Sequence, residues 1–360
     1  MIAILSGFFT PWIIYAGITA LHLVLPARQV QGYVRHPDTG APLQYRLNGR
    51  LVLLISIGLW ALLGYVGWIP FDWLYTVRWY SLAGACALGL LFTAWIVLPY
   101  PGTGKSLVSD LYLGRLENPQ FQYGRIDAKM WLYLIGAVML ELQVLSFSAH
   151  HYLEFGAAAS PGLFLAAALL TFFVFDYLSF EEVHLYTYDF FAERVGFKLG
   201  WGCLAFYPYF YAIAVWSAVS LPNPETPGWQ LTLFALIFLC GWMLARGANL
   251  QKFYFKTRPE QSFLGINPET ISDGKKTLLV NGFWGVSRHI NYLGEMLMAL
   301  GIALSVGHPA IVWPWLYPVY YVVLLLPRQL DDDKRCASKY GSLWEAYTRR
   351  VKYRIVPYIY

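Results

Sequence analysis

Charge is scarce in this chain: 13% of its 360 residues are Asp, Glu, Lys or Arg, against about 25% in a soluble domain. Cysteine is scarcer still. Cys86, Cys203 and Cys240 sit inside apolar runs and Cys336 in a basic tail. No pair has metal-ligand spacing, so neither a disulfide framework nor a zinc site is indicated. No G-x-G-x-x-G follows a strand-like stretch, which removes a Rossmann domain. Helical H-E-x-x-H and G-x-S-x-G are absent too. The PGTGKS stretch (101–106) imitates a phosphate loop, but that motif requires Gly at 99, where the chain has Pro99. Alternating β-barrel segments, internal repeats and low-complexity tracts are missing. The first apolar run has no basic segment before it and no small-residue cleavage site after it, so no cleavable signal peptide is expected.

What fills the chain instead is apolar: 58% of it is hydrophobic. Runs near 2–25, 51–70, 79–99, 128–148, 159–180, 200–220, 228–245, 290–306 and 309–327 approach the ~20 residues that cross a hydrocarbon core. The expected fold is all-α, a polytopic membrane protein of about nine or ten spans. Lys and Arg gather in alternate connections. Arg28, Arg35, Arg46 and Arg50 lie in 26–50, Arg246, Lys252, Lys256, Arg258, Lys275 and Lys276 in 246–282, and eight basic residues follow 327. The connections expected on the opposite face hold only Arg78, with none around 149–158, 221–227 or 307–308. Basic loops stay cytoplasmic, which puts the N-terminus outside and the C-terminus in the cytoplasm. The net charge of +5 is this topological signal, and nucleic acid is not an expected partner.

The character changes at 246, so residues 1–245 read as a membrane bundle and 246–360 as a more polar C-terminal region. Within the bundle, Glu141, Gln143 and Asp176 are polar at membrane depth, where such groups face the interior as helix–helix hydrogen bonds or functional groups. The sixth run carries Tyr207-Pro208-Tyr209-Phe210-Tyr211, a proline bend ringed by tyrosines, any of which could pack or donate a proton. In the C-terminal region the run at 290–306 has a polar head. With a helix start near 283, Trp284, Arg288, Tyr292 and Glu295 share one face, with Asn291 close by. A planar cation, an amide, a phenol and an indole near a helix N-terminus suit a phosphate-bearing cofactor, with Lys252, Lys256 and Arg258 as further phosphate partners. The same cations could equally be topogenic charges at the lipid interface. Of Asp331-Asp332-Asp333, one could be a partner for Arg288 or a general acid held protonated by burial, and at least two read as the N-terminal cap of an amphipathic tail helix. Its stripe is Cys336, Tyr340, Leu343, Trp344, Tyr347 and Val351, lying on the membrane or closing over a pocket.

ARGANLQKFYF, LLVNGFWGVSRHINYLGE and CASKYGSLWEAYTRRVKYRIVPYIY, together with SDLYLGRLENPQ and LQYRLNGR in the N-terminal half, resemble the sterol reductase family, which includes the sterol 14-reductases, 7-dehydrocholesterol reductase and the lamin B receptor. The resemblance covers about 21–360. It implies NADPH bound from the cytoplasmic side, reduction of a sterol carbon–carbon double bond, and a membrane of the endoplasmic reticulum or a bacterial cell. Members often carry one more span at the start. By motif position, Lys252, Lys256, Trp284, Arg288, His289, Asn291, Tyr292 and Arg328 are the implied cofactor residues, and Tyr211, Asp332 and Tyr340 the catalytic ones. Tyr211 is the first choice as proton donor, with Asp332 and Tyr340 recharging it. No metal is implied. Phe283 replaces a Trp of the pattern, Pro327 a His, and Asp331 an Arg, so Asp331 is expected to weaken attraction to phosphate. Rival readings are an S-adenosylmethionine-dependent methyltransferase of the isoprenylcysteine type, which shares an R-H-x-x-Y core, and a sterol- or lipid-binding relative without turnover.

Overall fold

The computed structural model describes residues 2–36 and 38–360, with side chains from Ile4 onward. Among the described residues all nine apolar runs are helical. They form α1 (Ile2–Val24), α2 (Gly49–Tyr65), α3 (Arg78–Val97), α4 (Ala128–Phe155), α5 (Pro161–Ser179), the segmented α6 (Phe197–Ala218), α7 (Gly228–Thr257), α8 (Ile290–Ser305) and α9 (Val312–Tyr340). Six of these, α1 and α3 to α7, are long and apolar enough to cross a membrane unaided. The chain is a multi-pass integral membrane protein. It divides into two compact units, Met1–Asn223 and Pro224–Tyr360. The change of composition at 246 falls inside α7, which runs on without a break to Thr257.

The connection after α1 is an antiparallel hairpin, β1 (Arg28–Arg35) and β2 (Pro42–Leu47), with Arg28 opposite Leu47. Its basic residues also satisfy carbonyls. Arg46 Nε donates to His22 O at 3.1 Å, Asn48 Nδ2 to the same oxygen at 3.0 Å, and Arg125 Nη2 to Leu23 O at 2.8 Å. These donors meet the orphan acceptors at the end of α1. The stretch that imitated a phosphate loop has a similar task. Thr103 N–H donates to Asp110 Oδ2 at 3.2 Å, and Arg115 Nε binds the same carboxylate at 2.8 Å. A minimal hairpin, β3 (Gln120–Phe121) with β4 (Ile126–Asp127), leads into α4.

Helix α4 is the buried centre of the first unit, with 83% of its apolar window inside. At its start Asp127 caps the N-terminus, its carboxylate accepting from the Lys129 and Met130 N–H groups. Lys129 is fully buried, and its ammonium donates to Asp189 O, Phe190 O and Glu193 O at 3.0, 2.9 and 2.7 Å. Deeper in, Glu141 Oε1 accepts from Thr171 Oγ1 at 2.9 Å, and Gln143 Nε2 donates to Pro208 O at 3.2 Å. Glu141 and Gln143 thus tie α4 to its neighbours, as polar groups at membrane depth are expected to do. Asp176 is buried near the end of α5.

Helix α6 is broken as its proline requires. Gly202–Phe206 forms a π-turn ahead of Pro208, and a proline cannot bond the carbonyl four residues back. That carbonyl, Leu204 O, accepts the Tyr15 hydroxyl at 2.5 Å instead.

In the second unit, α7 and α8 meet along glycines. A Cβ on Gly294 would lie 2.5 Å from Ala245 N and from Gly241 O, and one on Gly301 would lie 2.8 Å from Phe238 Cβ. Small residues permit this backbone approach between helices in lipid. Two expectations fail here. The tail does not begin a new helix at Asp331, because α9 continues unbroken from Val312 to Tyr340 and places the three aspartates in its interior. It stops at Gly341, whose φ of +55° suits glycine, and α10 (Ser342–Arg350) follows. Nor does the aromatic stripe of the tail form one surface for lipid. Tyr347 and Val351 pack with Val280, Ile271, Leu278 and Trp344, against the hairpin β5 (Thr270–Ser272) and β6 (Thr277–Leu279).

Candidate cofactor site

The polar head before α8 is not one helix. Phe283–Val286 forms a single short turn, Ser287 is extended at φ −151°, and α8 begins only at Ile290. Trp284 and Arg288 therefore do not share a helical face, contrary to the expectation from spacing. The reason lies far along the sequence. Residues 287–289 run as a strap beside the segment that follows α10. Arg288 N–H donates to Tyr353 O at 3.0 Å, His289 N–H to Arg354 O at 2.8 Å, and Ser287 Oγ to Ile355 O at 2.9 Å. That segment closes on itself: the Arg354, Ile355 and Val356 N–H groups all donate to Tyr360 O, at 2.8, 2.8 and 3.1 Å.

The strap buries Arg288 and His289 beside the interior of α9. Asp333 is the carboxylate nearest to both. Its Oδ1 lies 3.6 Å from His289 Nε2 and its Oδ2 3.9 Å from Arg288 Nη2, just beyond hydrogen-bond length. Arg354 Nε approaches the same oxygen at 3.7 Å. Burial alone would raise the Asp333 carboxyl, but His289, Arg288 and Arg354 outweigh it and hold the group below the usual carboxylate range. Asp332 is more distant, its Oδ2 lying 4.0 Å from His289 Nδ1. Four buried atoms here have no hydrogen-bond partner among the described residues: Arg288 Nε, His289 Nε2, Asn291 Oδ1 and Asp333 Oδ1.

The other expected residues are placed as follows. Trp284 is fixed by its indole N–H to Ala248 O at 2.8 Å, and by Tyr347 Oη donating to its carbonyl at 3.1 Å. Lys252, on the last turns of α7, holds its ammonium 5.5 Å from the Trp284 ring. Lys256 lies one turn further on, exposed. His289 and Tyr292 stack at 5.0 Å, and Asn291 Nδ2 reaches Asn249 Oδ1 at 3.4 Å. Arg328 precedes Asp332 by four residues on α9. Tyr340, at the end of α9, lies under the ammonium groups of Lys339 and Lys276, 5.2 and 5.8 Å from its ring. Tyr211 belongs to the first unit. It closes the Tyr207–Phe210 turn of α6, half-buried, edge-on to Tyr207 at 4.5 Å and tilted against Phe173 at 6.4 Å. Asp331 pairs with Arg335 at 2.8 Å on the exposed side of α9, so its charge is balanced locally.

Sequence reasoning missed Ser287, Gln329, Arg354 and Tyr360, and did not single out Asp333 among the three aspartates. One signal was available for two of them: Gln329 and Asp333 stand i, i+4, on one face of any helix that runs through 327.

Fold and site together define a multi-pass helical membrane protein with a buried, cation-bearing polar cluster at the head of one span. The family model of the Ergosterol biosynthesis ERG4/ERG24 family matches residues 5–360, and the chain belongs to that family. The chain is 32% identical to Delta(14)-sterol reductase of Arabidopsis thaliana, covering 94% of this chain and 91% of that protein. With Delta(14)-sterol reductase of Methylotuvimicrobium alcaliphilum it shares 30% identity over 99% of this chain and 83% of the relative. With Delta(14)-sterol reductase TM7SF2 of Mus musculus the identity is 32%, over 99% and 87%. A match along the full length, N-terminal half included, leaves the methyltransferase reading without support.

Proposed function

We propose that this protein reduces a carbon–carbon double bond in the ring system of a sterol, using NADPH, and that the bond is the Δ14 bond named by its relatives. The observation that carries the cofactor assignment is unmet polar demand. Arg288 Nε and Asn291 Oδ1 are buried without partners, and buried polar groups in finished sites are paired. A guanidinium seeking an acceptor and an amide oxygen seeking a donor fit a ligand that carries phosphates and a carboxamide. Lys252, with Trp284 beneath its ammonium, adds a phosphate-binding charge and a flat ring. Lys256, His289, Tyr292 and Arg328 complete the set that would hold NADPH.

When bound, NADPH supplies a hydride. An isolated alkene accepts hydride poorly, so the chain must first deliver a proton to the less substituted carbon, leaving the positive charge on the more substituted one. Tyr211 is assigned this proton, which a phenol can give inside a dry bundle. Asp332 and Tyr340 are assigned the return of a proton to the phenolate that Tyr211 leaves. The basic connections of the C-terminal region support a cytoplasmic position for it. The test is anaerobic turnover of a Δ14-unsaturated sterol by the detergent-purified protein with NADPH, NADH or no nucleotide. Product formed only with NADPH supports the reading. Absence of product, with S-adenosylmethionine bound in its place, overturns it.

A further inference from the structure

Behind Arg288 and His289 the structure contains a closed ring of polar side chains. Gln329 is fully buried on α9, and its Nε2 donates to Asp333 Oδ2 at 2.7 Å. Its Oε1 accepts from the Tyr360 hydroxyl at 3.2 Å. That hydroxyl accepts from Arg354 Nη1 at 3.0 Å, and Arg354 Nε faces Asp333 Oδ2 at 3.7 Å. Four residues from two stretches of chain, 329–333 and 354–360, thereby fix one carboxylate. Its Oδ1, left without a hydrogen-bond partner, is the atom that faces His289.

We infer that Gln329, Asp333, Arg354 and Tyr360 form a positioning ring for the Arg288–His289 strap, setting the cofactor site through the Asp333 carboxylate without touching the cofactor. The inference rests on the NADPH reading for its effect on affinity, but its geometry is independent of it. The chemistry requires such a device. A guanidinium on an extended strap has no helix to hold its direction, and a bidentate phosphate contact depends on direction as much as on charge. Asp333 supplies the counter-charge, Gln329 fixes the rotation of its carboxylate, and Tyr360 fixes Gln329. The residues facing Asp333 are Arg288 and His289 from the strap, Gln329 from α9, and Arg354 from the final turn.

Three single variants, Gln329→Leu, Asp333→Asn and Tyr360→Phe, and the double variant Gln329→Leu/Asp333→Asn test the ring in the full-length protein. Two readouts are used: the Kd for NADPH, and hydrogen exchange across 285–292. The expected result is roughly tenfold weaker NADPH binding for Gln329→Leu and for Asp333→Asn, with a smaller loss for Tyr360→Phe. The double variant should be no weaker than the poorer single variant, because both act through one carboxylate. Exchange should rise at Arg288 and His289 ahead of the rest of the chain, and kcat at saturating NADPH should stay within about twofold. Additive losses that follow the melting temperature would overturn the inference in favour of a merely structural ring, as would unchanged exchange at the strap. Faster exchange at the strap in a protein that binds no NADPH, even unaltered, would uphold the ring and remove the proposed function instead.

Discussion

The two units of this molecule handle buried polarity differently. In the first, the charged groups inside are mostly consumed by the chain itself: Lys129 holds three carbonyls, Asp110 is held by Thr103 and Arg115, and Glu181 accepts the Gly49 N–H at 2.9 Å. Each closes a loop or a helix end. In the second unit Arg288, His289, Asn291 and Asp333 converge from the strap, α8 and α9, and each keeps one buried atom without a partner. Saturated groups serve the fold; Arg288, His289 and Asn291 are where the proposed cofactor would bind, and the open oxygen of Asp333 faces His289. Among the described residues of the first unit, Tyr45 Oη, Asn118 Oδ1, Glu141 Oε2 and Gln143 Oε1 are also buried without a hydrogen-bond partner, the last two on side chains that already bond a neighbouring helix.

This contrast can be broken by substitution. The largest effect is expected at Tyr211, where Tyr211→Phe should lower turnover of a Δ14-unsaturated sterol by about 10²- to 10⁴-fold while NADPH binding is kept, as single-turnover kinetics and titration would show. Next comes Lys129→Met, which leaves three carbonyls unpaired and should destabilise the protein by roughly 3–5 kcal/mol. That loss would be seen in the melting temperature, with NADPH affinity of the remaining folded protein unaltered. If Lys129→Met weakened affinity at constant stability, the division between fold-serving and cofactor-binding groups would be wrong.

A smaller effect is expected from pH. The Asp333 carboxyl is held below its ordinary value. The stability it contributes is therefore fully present above the unfolded pKa of about 4 and is lost only as pH falls through the depressed folded value. Melting temperatures should show no Asp333 contribution to their slope between about pH 5 and 8. Asp333→Asn should flatten the fall below about pH 4. The smallest effect is expected at Asp331. Its exposed i, i+4 pair with Arg335 is worth about 0–1 kcal/mol. Asp331→Ala should shift the melting temperature little and raise NADPH affinity less than about threefold, measured by titration at low salt.

The helices were legible because apolar runs of span length admit little else in lipid. Each of the nine runs is a helix, and the α6 break was marked by Pro208. The rest depended on partners distant in sequence. No Gly or Pro marks the interruption at 287–289. It exists because the backbone of 353–355 offers acceptors there, and periodicity cannot register such a bond. The aspartates at 331–333 carry the composition of a helix start, yet α9 runs through them. The carboxylate closest to Arg288 and His289 is Asp333, one residue past Asp332 and 100° further around the helix. Lys252 lies 5.5 Å from the Trp284 ring, a contact between α7 and the turn before α8 that no spacing encodes.

The measurement that bears most directly on the central claim is the Kd of the detergent-purified protein for NADPH, set beside Arg288→Ala, with NADH and S-adenosylmethionine as competitors. The account predicts selective NADPH binding that weakens roughly 100-fold, about 3 kcal/mol, in the folded variant. Equal affinity of the two proteins, or binding of S-adenosylmethionine in preference to NADPH, would contradict it.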